Sequence, residues 1–170
     1  MPQPMGLNFG LERDDACLKR KFRWLLKIPE ISADDPIRTL PPLKSARPNI
    51  AFKEAEAQHL NETISYPVKP EWKPINLVLY DLKKNTHPVF DWIKNVYDPD
   101  EGTWGPSVNT NFKKTANLEL YDGCGGMIER WTYDNVWPQT VEFGELDMGN
   151  SEVVMLDVTL RFDRAYIETA

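Results

Sequence analysis

The chain has 170 residues, 41% of them hydrophobic and 27% charged, with a formal net charge of −6. Folding at this size hides about 70% of the unfolded chain's surface, so a core needs no disulfide or metal staple, and the length favours one domain. The balance excludes a disordered chain, leaves no run of roughly 20 apolar residues for crossing a bilayer, and opposes the positive field that duplex binding requires.

Met1 to Gly10 shows no basic region followed by an apolar run, so synthesis and folding in a cytoplasm are expected. Fourteen prolines, six tryptophans and six tyrosines lean towards strands and shaped loops rather than helix bundles. Cys17 and Cys124 lie far apart with no CxxC or Cys/His cluster. A disulfide is arithmetically open, and two reduced thiols are the favoured reading.

In chain order, Phe22, Trp24, Leu26 and Ile28 share one face of an alternating run and Lys19, Lys21, Arg23 and Lys27 the other, the pattern of a half-buried strand. Prolines at 29, 36, 41, 42 and 48 then forbid an interior strand or continuous helix, and 29–44 reads as a long extended loop. Ala51 to Ile64 is polar and loosely alternating, consistent with one or two exposed strands, and Ile75 to Tyr80 is a short apolar strand. Val89, Trp92, Ile93, Val96 and Tyr97 form one apolar stripe, which predicts a single helix over about 87–97. Thr86 or His87 caps it, Pro88 suits its first turn, and Asp98-Pro99 stops it. The C-terminal half reads as all-β. Strands at 116–122 and 127–134 flank a glycine-rich hairpin turn, a further strand lies near 140–143, and Val154, Leu156, Val158, Leu160 and Phe162 line one face of a long last strand.

No catalytic apparatus emerges from these residues. Gly123-Cys124-Gly125-Gly126 precedes no helix and no GKS or GKT, so it suits a hairpin turn rather than a phosphate cradle. Asp98 to Gly102 lacks the further ligands of a calcium loop. His59 and His87, the two histidines, stand apart from cysteines and carboxylate clusters. Glu142, Glu145 and Asp147 are the candidate carboxylates for glycoside hydrolysis, a chemistry that also needs a cleft. Trp24, Trp92 and Trp131 fall on apolar faces. Trp72, Trp104 and Trp137 lie in loops beside prolines or glycines and are candidates for contact with another chain. A half-barrel of long strands leaves open edges, and pairing with copies of itself would close them.

The ordered series of features resembles the tail tube proteins of contractile-tailed bacteriophages. It runs through strand 22–28, Lys44-Ser45-Ala46-Arg47-Pro48, Asn61, Ser65-Tyr66-Pro67, Trp72-Lys73-Pro74-Ile75, Asp81, the helix Val89 to Tyr97 and Leu118-Glu119-Leu120-Tyr121-Asp122-Gly123. It closes on Trp131, Trp137-Pro138, Phe143-Gly144-Glu145-Leu146-Asp147 and Val154 to Asp163. The resemblance covers about Leu18 to Ala165. It implies a mainly β protomer, a barrel or sandwich with one flanking helix, as a single tail-tube domain over 1–170 with an N-terminal arm at 1–17. It further implies hexameric rings stacked into a tube inside a contractile sheath, in the virion, assembled in the host cytoplasm. The implied partners are the chain itself, the sheath protein, a baseplate initiator, the tape-measure protein, and DNA that passes without specific binding. No cofactor, membrane insertion or enzymatic activity is implied. The tubes of type VI secretion and related injection systems share the fold, so a secretion tube is the near alternative. A carbohydrate-binding sandwich using Trp72, Trp104 and Trp137 is the distant one.

On this reading Asn117, Glu119, Asp157, Thr159, Arg161 and Asp163, on the polar faces of two strands, are expected to face the lumen, with three carboxylates against one guanidinium. Ile37, Leu40, Leu43, Trp72, Trp104 and Trp137 are the candidates for contacts between subunits, and the proline-rich 29–43 segment is expected to serve ring stacking.

Overall fold

The structure, a computed structural model, describes residues 19, 21–29, 31, 42–81, 83, 86–104, 112–122 and 124–169. The 1–17 arm, most of the 29–43 segment, and with them Ile37 and Leu40, lie outside the described residues. The described chain is mainly β. Its strands are β1 (Trp24–Lys27), β2 (Pro42–Lys44), β3 (Asn49–His59), β4 (Glu62–Lys73), β5 (Ile75–Tyr80), β6 (Tyr97–Asp98), β7 (Thr103–Trp104), β8 (Lys114–Tyr121), β9 (Met127–Glu142), β10 (Met155–Arg161) and β11 (Arg164–Thr169). The helix α1 runs Thr86–Val96.

Seven strands form one antiparallel sheet in the order β1-β8-β9-β10-β5-β2, with β11 also paired to β9. β9 organises it: Glu129 to Val136 ladder with β8 and β11, and Trp137 to Glu142 with β10. Sequence alternation reads this stretch as two strands, and the structure joins them into one of 16 residues. The reason is a pair of bulges. Lys114 and Ala116 pair with Val136 and Tyr133, so an extra residue enters β9 beside Asn135, whose φ is 57°. A second enters where Thr159 and Leu160 face Thr140 and Pro138. Each bulge resets the alternation by one residue, so Trp131, Tyr133, Val136, Pro138 and Val141 all keep to one side.

That side is the core. The sheet curls about β9 so that Leu26, Leu118, Leu120 and Tyr133 meet Ile75, Leu77, Leu79, Leu156, Val158, Leu160 and Phe162. Tyr133 and Phe162 touch edge to face with centroids 5.1 Å apart. Each fully buried aliphatic chain contributes about 1.5–3 kcal/mol. α1 lays Val89 and Trp92 onto this core, and the Trp92 indole donates to the Phe112 carbonyl at 2.6 Å.

Three further expectations shift. The last strand divides at Phe162-Asp163, because the Asp163 amide bonds back to the Asp134 carbonyl and sends the chain into β11. Pro42–Lys44, read as loop, is an edge strand on β5. Phe22, read with the core face, is 74% exposed. The hairpin between Tyr121 and Met127 stands as read, with the Asp122 carboxylate accepting from the Cys124 and Gly126 amides.

Candidate assembly surfaces

The outer face of β1, β8, β9 and β11 carries a closed charge network. Glu119 of β8 is buried at 3% exposure, where an unpaired carboxylate would be costly. The cross-strand register supplies its partners: Lys27 Nζ at 2.6 Å, Arg130 at 3.0 Å, and the Tyr121 hydroxyl donating to it. Burial alone would raise the Glu119 carboxyl. The Lys27, Tyr121 and Arg130 hydrogen bonds and the Lys27 charge outweigh it and hold the group below its ordinary value. Arg130 reaches on to Glu168 at 3.6 Å, Arg164 pairs with Asp134 at 2.7 Å, and the Thr132 hydroxyl donates to Asn117 at 3.0 Å. Lys27, Arg130 and Arg164 on this face thus each meet a carboxylate.

Glu129, on the inner face, is the carboxylate that sequence reading missed. It is 1% exposed and holds Lys19, the Trp131 indole and Arg47. Burial pushes its carboxyl up, but the Lys19 and Trp131 bonds and the two cations bring it below the usual range. The signal was present: Glu129 shares parity with Trp131 and Tyr133, which places it inward.

The three tryptophans read as loop residues stand instead on strands β4, β7 and β9, and they come together. Trp72, Trp104 and Trp137 line one open cleft of about 660 Å³ with Phe112, Arg161 and Asp163. Trp104 stacks edge to face on Tyr97 and is 72% exposed. Arg161 pairs across the ladder with Trp137, and Asp163 accepts from Lys113 and Asn135. Two residues expected at a lumen therefore share this cleft with three expected at an interface. Asn117 and Glu119 lie on the outer face of β8, while Asp157 and Thr159 lie on the outer face of β10, on the other side of the core. Leu43 is 42% exposed, on the edge strand β2. Glu142 and Glu145 are exposed at the end of β9 and in the loop beyond it. Cys124 is exposed and free, and among the described residues no group of three His, Cys, Asp or Glu is placed to hold a metal. No described helix is long and apolar enough to cross a membrane.

β3 and β4 stand apart as a two-stranded sheet of 11 and 12 residues, roughly 35 Å long. The register puts Glu54, Glu56 and Gln58 opposite Pro67, Ser65 and Thr63 on one face, and Ala55 and Ala57 opposite Tyr66 and Ile64 on the other. The ribbon is amphipathic and its apolar side is uncovered: Tyr66 is 52% and Ile64 44% exposed. At the tip, Leu60 takes a left-handed φ of 55° with its side chain 93% exposed. A bulge opposite Phe52–Glu54 accommodates Pro67 and Pro70, which donate no ladder hydrogen bond.

Similarity to known proteins agrees with this architecture. A chain of the PVC sheath-tube complex, an extracellular contractile injection system in its extended state, superposes with a TM-score of 0.73 at 16% identity, covering 97% of this chain and 99% of its own. A chain of the anti-feeding prophage cap gives 0.71 at 19% identity, with 90% and 92% covered. Hcp1 from Salmonella typhimurium gives 0.53 at 15% identity, with 86% and 85% covered. Among curated proteins none matches the sequence. The family model for the T4-like virus tail tube protein gp19 matches residues 20–165. By that match over most of its length, the chain belongs to the gp19 tail tube family.

Proposed function

We propose that the protein is the repeating subunit of an inner tail tube, joining with copies of itself into hexameric rings that stack into a hollow conduit. The β3–β4 ribbon carries the proposal. A two-stranded hairpin is marginal alone in water, and this one leaves its apolar face and both edges without partners among the described residues. A neighbouring copy supplies what the ribbon lacks. In the assembled particle the tube lies within a contractile sheath, starts from a baseplate, encloses a tape-measure protein and passes DNA without holding it. Assembly takes place in the host cytoplasm and the product is part of the virion.

One copy turns only one outer face to a lumen. The Asn117–Glu119 face is the better wall, because Lys27, Arg130 and Arg164 are each tied to a carboxylate, which weakens their hold on a phosphate. Asp157 and Thr159 then look outward, towards the sheath. Arg161 and Asp163 join Trp72, Trp104 and Trp137 in a contact between subunits, and the segment carrying Ile37, Leu40 and Leu43 serves ring stacking.

Electron microscopy of the purified protein at high concentration tests this directly. Rings or tubes of uniform width are expected, and their loss on Ile64→Ser with Tyr66→Ser, in a subunit of unchanged stability. A wild-type chain that stays monomeric in the presence of a baseplate template refutes it.

A further inference from the structure

Edge strands β1 and β2 leave an open groove of about 640 Å³ between them. Its floor is apolar, made by Trp24, Leu118 and Leu120, with Leu43 on the rim. Around that floor stand four cations: Lys19, Lys21, Lys44 and Arg47. Lys19 and Arg47 share the single carboxylate of Glu129, while Lys21 and Lys44 have no ion-pair partner among the described residues. The Ser45 hydroxyl, also in the groove, is shut from solvent and meets no hydrogen-bond partner among the described residues. Buried hydroxyls of this kind are rare in a finished structure. The groove is therefore built for something acidic and apolar that offers a polar atom.

The same chain carries such a segment. From the last residue of β9 towards β10, residues 142–153 include Glu142, Glu145, Asp147 and Glu152 and no basic residue. Leu146 is 87%, Met148 109% and Val153 60% exposed, so the apolar side chains between the acids also point into solvent. None of the four acids has an ion pair among the described residues. The loop is nonetheless shaped. Asp147 accepts the Gly149 amide at 2.8 Å, Asn150 accepts the Glu152 amide at 3.0 Å, and Gly144 turns the chain at φ 79°. Its ordering is thus partly done before any partner arrives.

We infer that the 142–153 loop of one copy docks in the β1–β2 groove of the next. This rests on the tube reading and names the joint within it. Groove and loop share no residue, so the contact is heterologous and repeats head to tail, which closes a ring when the rotation allows. Leu146 and Met148 cover the Trp24–Leu118–Leu120 floor, the acids meet Lys21 and Lys44, and a loop polar atom satisfies Ser45. Because the pairs lie at the rim, the joint weakens as salt rises.

The test reverses charge on each side using exposed residues that the fold does not need. Lys21→Glu with Lys44→Glu changes the groove, and Glu145→Lys with Glu152→Lys changes the loop. Folding is checked by circular dichroism and melting, and assembly by sedimentation and electron microscopy. Each double variant alone should need at least about tenfold more protein to assemble than wild type. An equimolar mixture of the two, and the fourfold variant, should assemble like wild type. If wild type forms tubes and both double variants do so equally well, the joint is wrong and the tube reading stands. Loss in both without recovery on mixing or in the fourfold variant also overturns the joint. A wild type that never assembles overturns the tube reading and the joint with it.

Discussion

β9 and β4 are long strands of 16 and 12 residues in antiparallel ladders, yet they live in opposite surroundings. β9 buries Tyr133 and Val136 completely, while along β4 only Trp72 is even half-buried. Backbone hydrogen bonds are present in both, so the ladder alone does not separate them. What separates them is where the apolar face goes: into the chain's own core for β9, and into open solvent for β4. A face left uncovered along roughly 35 Å is the kind of surface that the proposed contact between copies requires.

The comparison makes graded predictions. The largest effect belongs to the core: Leu160→Ala, at a position 0% exposed, should lower unfolding free energy by about 2–5 kcal/mol in denaturant titrations. Glu119→Gln should cost about 1–2 kcal/mol, moderated because Lys27 and Arg130 keep partial access to water. It should also change the acid limb. The folded Glu119 carboxyl sits below its unfolded value of about 4.3, so its contribution is full above that pH and drains away as pH falls through the folded value. Melting temperature should therefore drop less steeply below about pH 4.3 in the variant than in wild type. Gly144→Ala should cost about 1–2 kcal/mol, since φ is 79° there and an added Cβ would lie 2.6 Å from the Met155 carbonyl oxygen. The smallest effect on the subunit is expected in the ribbon. Ile64→Ser with Tyr66→Ser should shift monomer stability by no more than about 0.5 kcal/mol per site while removing assembly. A loss there as large as that of Leu160→Ala would break the distinction.

Much of the fold was legible. Ile75 to Tyr80, the α1 stripe from Val89 to Val96 and the inward face from Leu156 to Phe162 read correctly because each keeps a single period, whereas Tyr97, read as the stripe's last member, opens β6 and stacks on Trp104. β9 did not, because bulges beside Asn135 and Thr140 change its parity twice, and parity is all that a sequence displays of a strand. The candidate site was legible in kind and not in arrangement. Trp72, Trp104 and Trp137 stood out by their proline and glycine neighbours, but β4, β7 and β9 bring them together, and no local pattern encodes that meeting. Glu119 lay on the polar face as expected. Its near-complete burial comes from Lys27 and Arg130 on adjacent strands, which register alone decides.

The ribbon also sets an order of events in folding. Its pairings join residues close in the chain, from His59 with Glu62 out to Asn49 with Lys73. Hairpins of this local kind close in about 1–10 μs. The core must wait for distant partners, since Ile75 pairs with Leu160, and such non-local sheets take about milliseconds to seconds. A hairpin that is marginal alone closes and reopens through that interval, until Trp72 packs against Phe162. Glu54 and Glu56, carried on the ribbon's other face, keep that side polar, so only the Tyr66–Ile64 side offers an apolar contact while the chain folds.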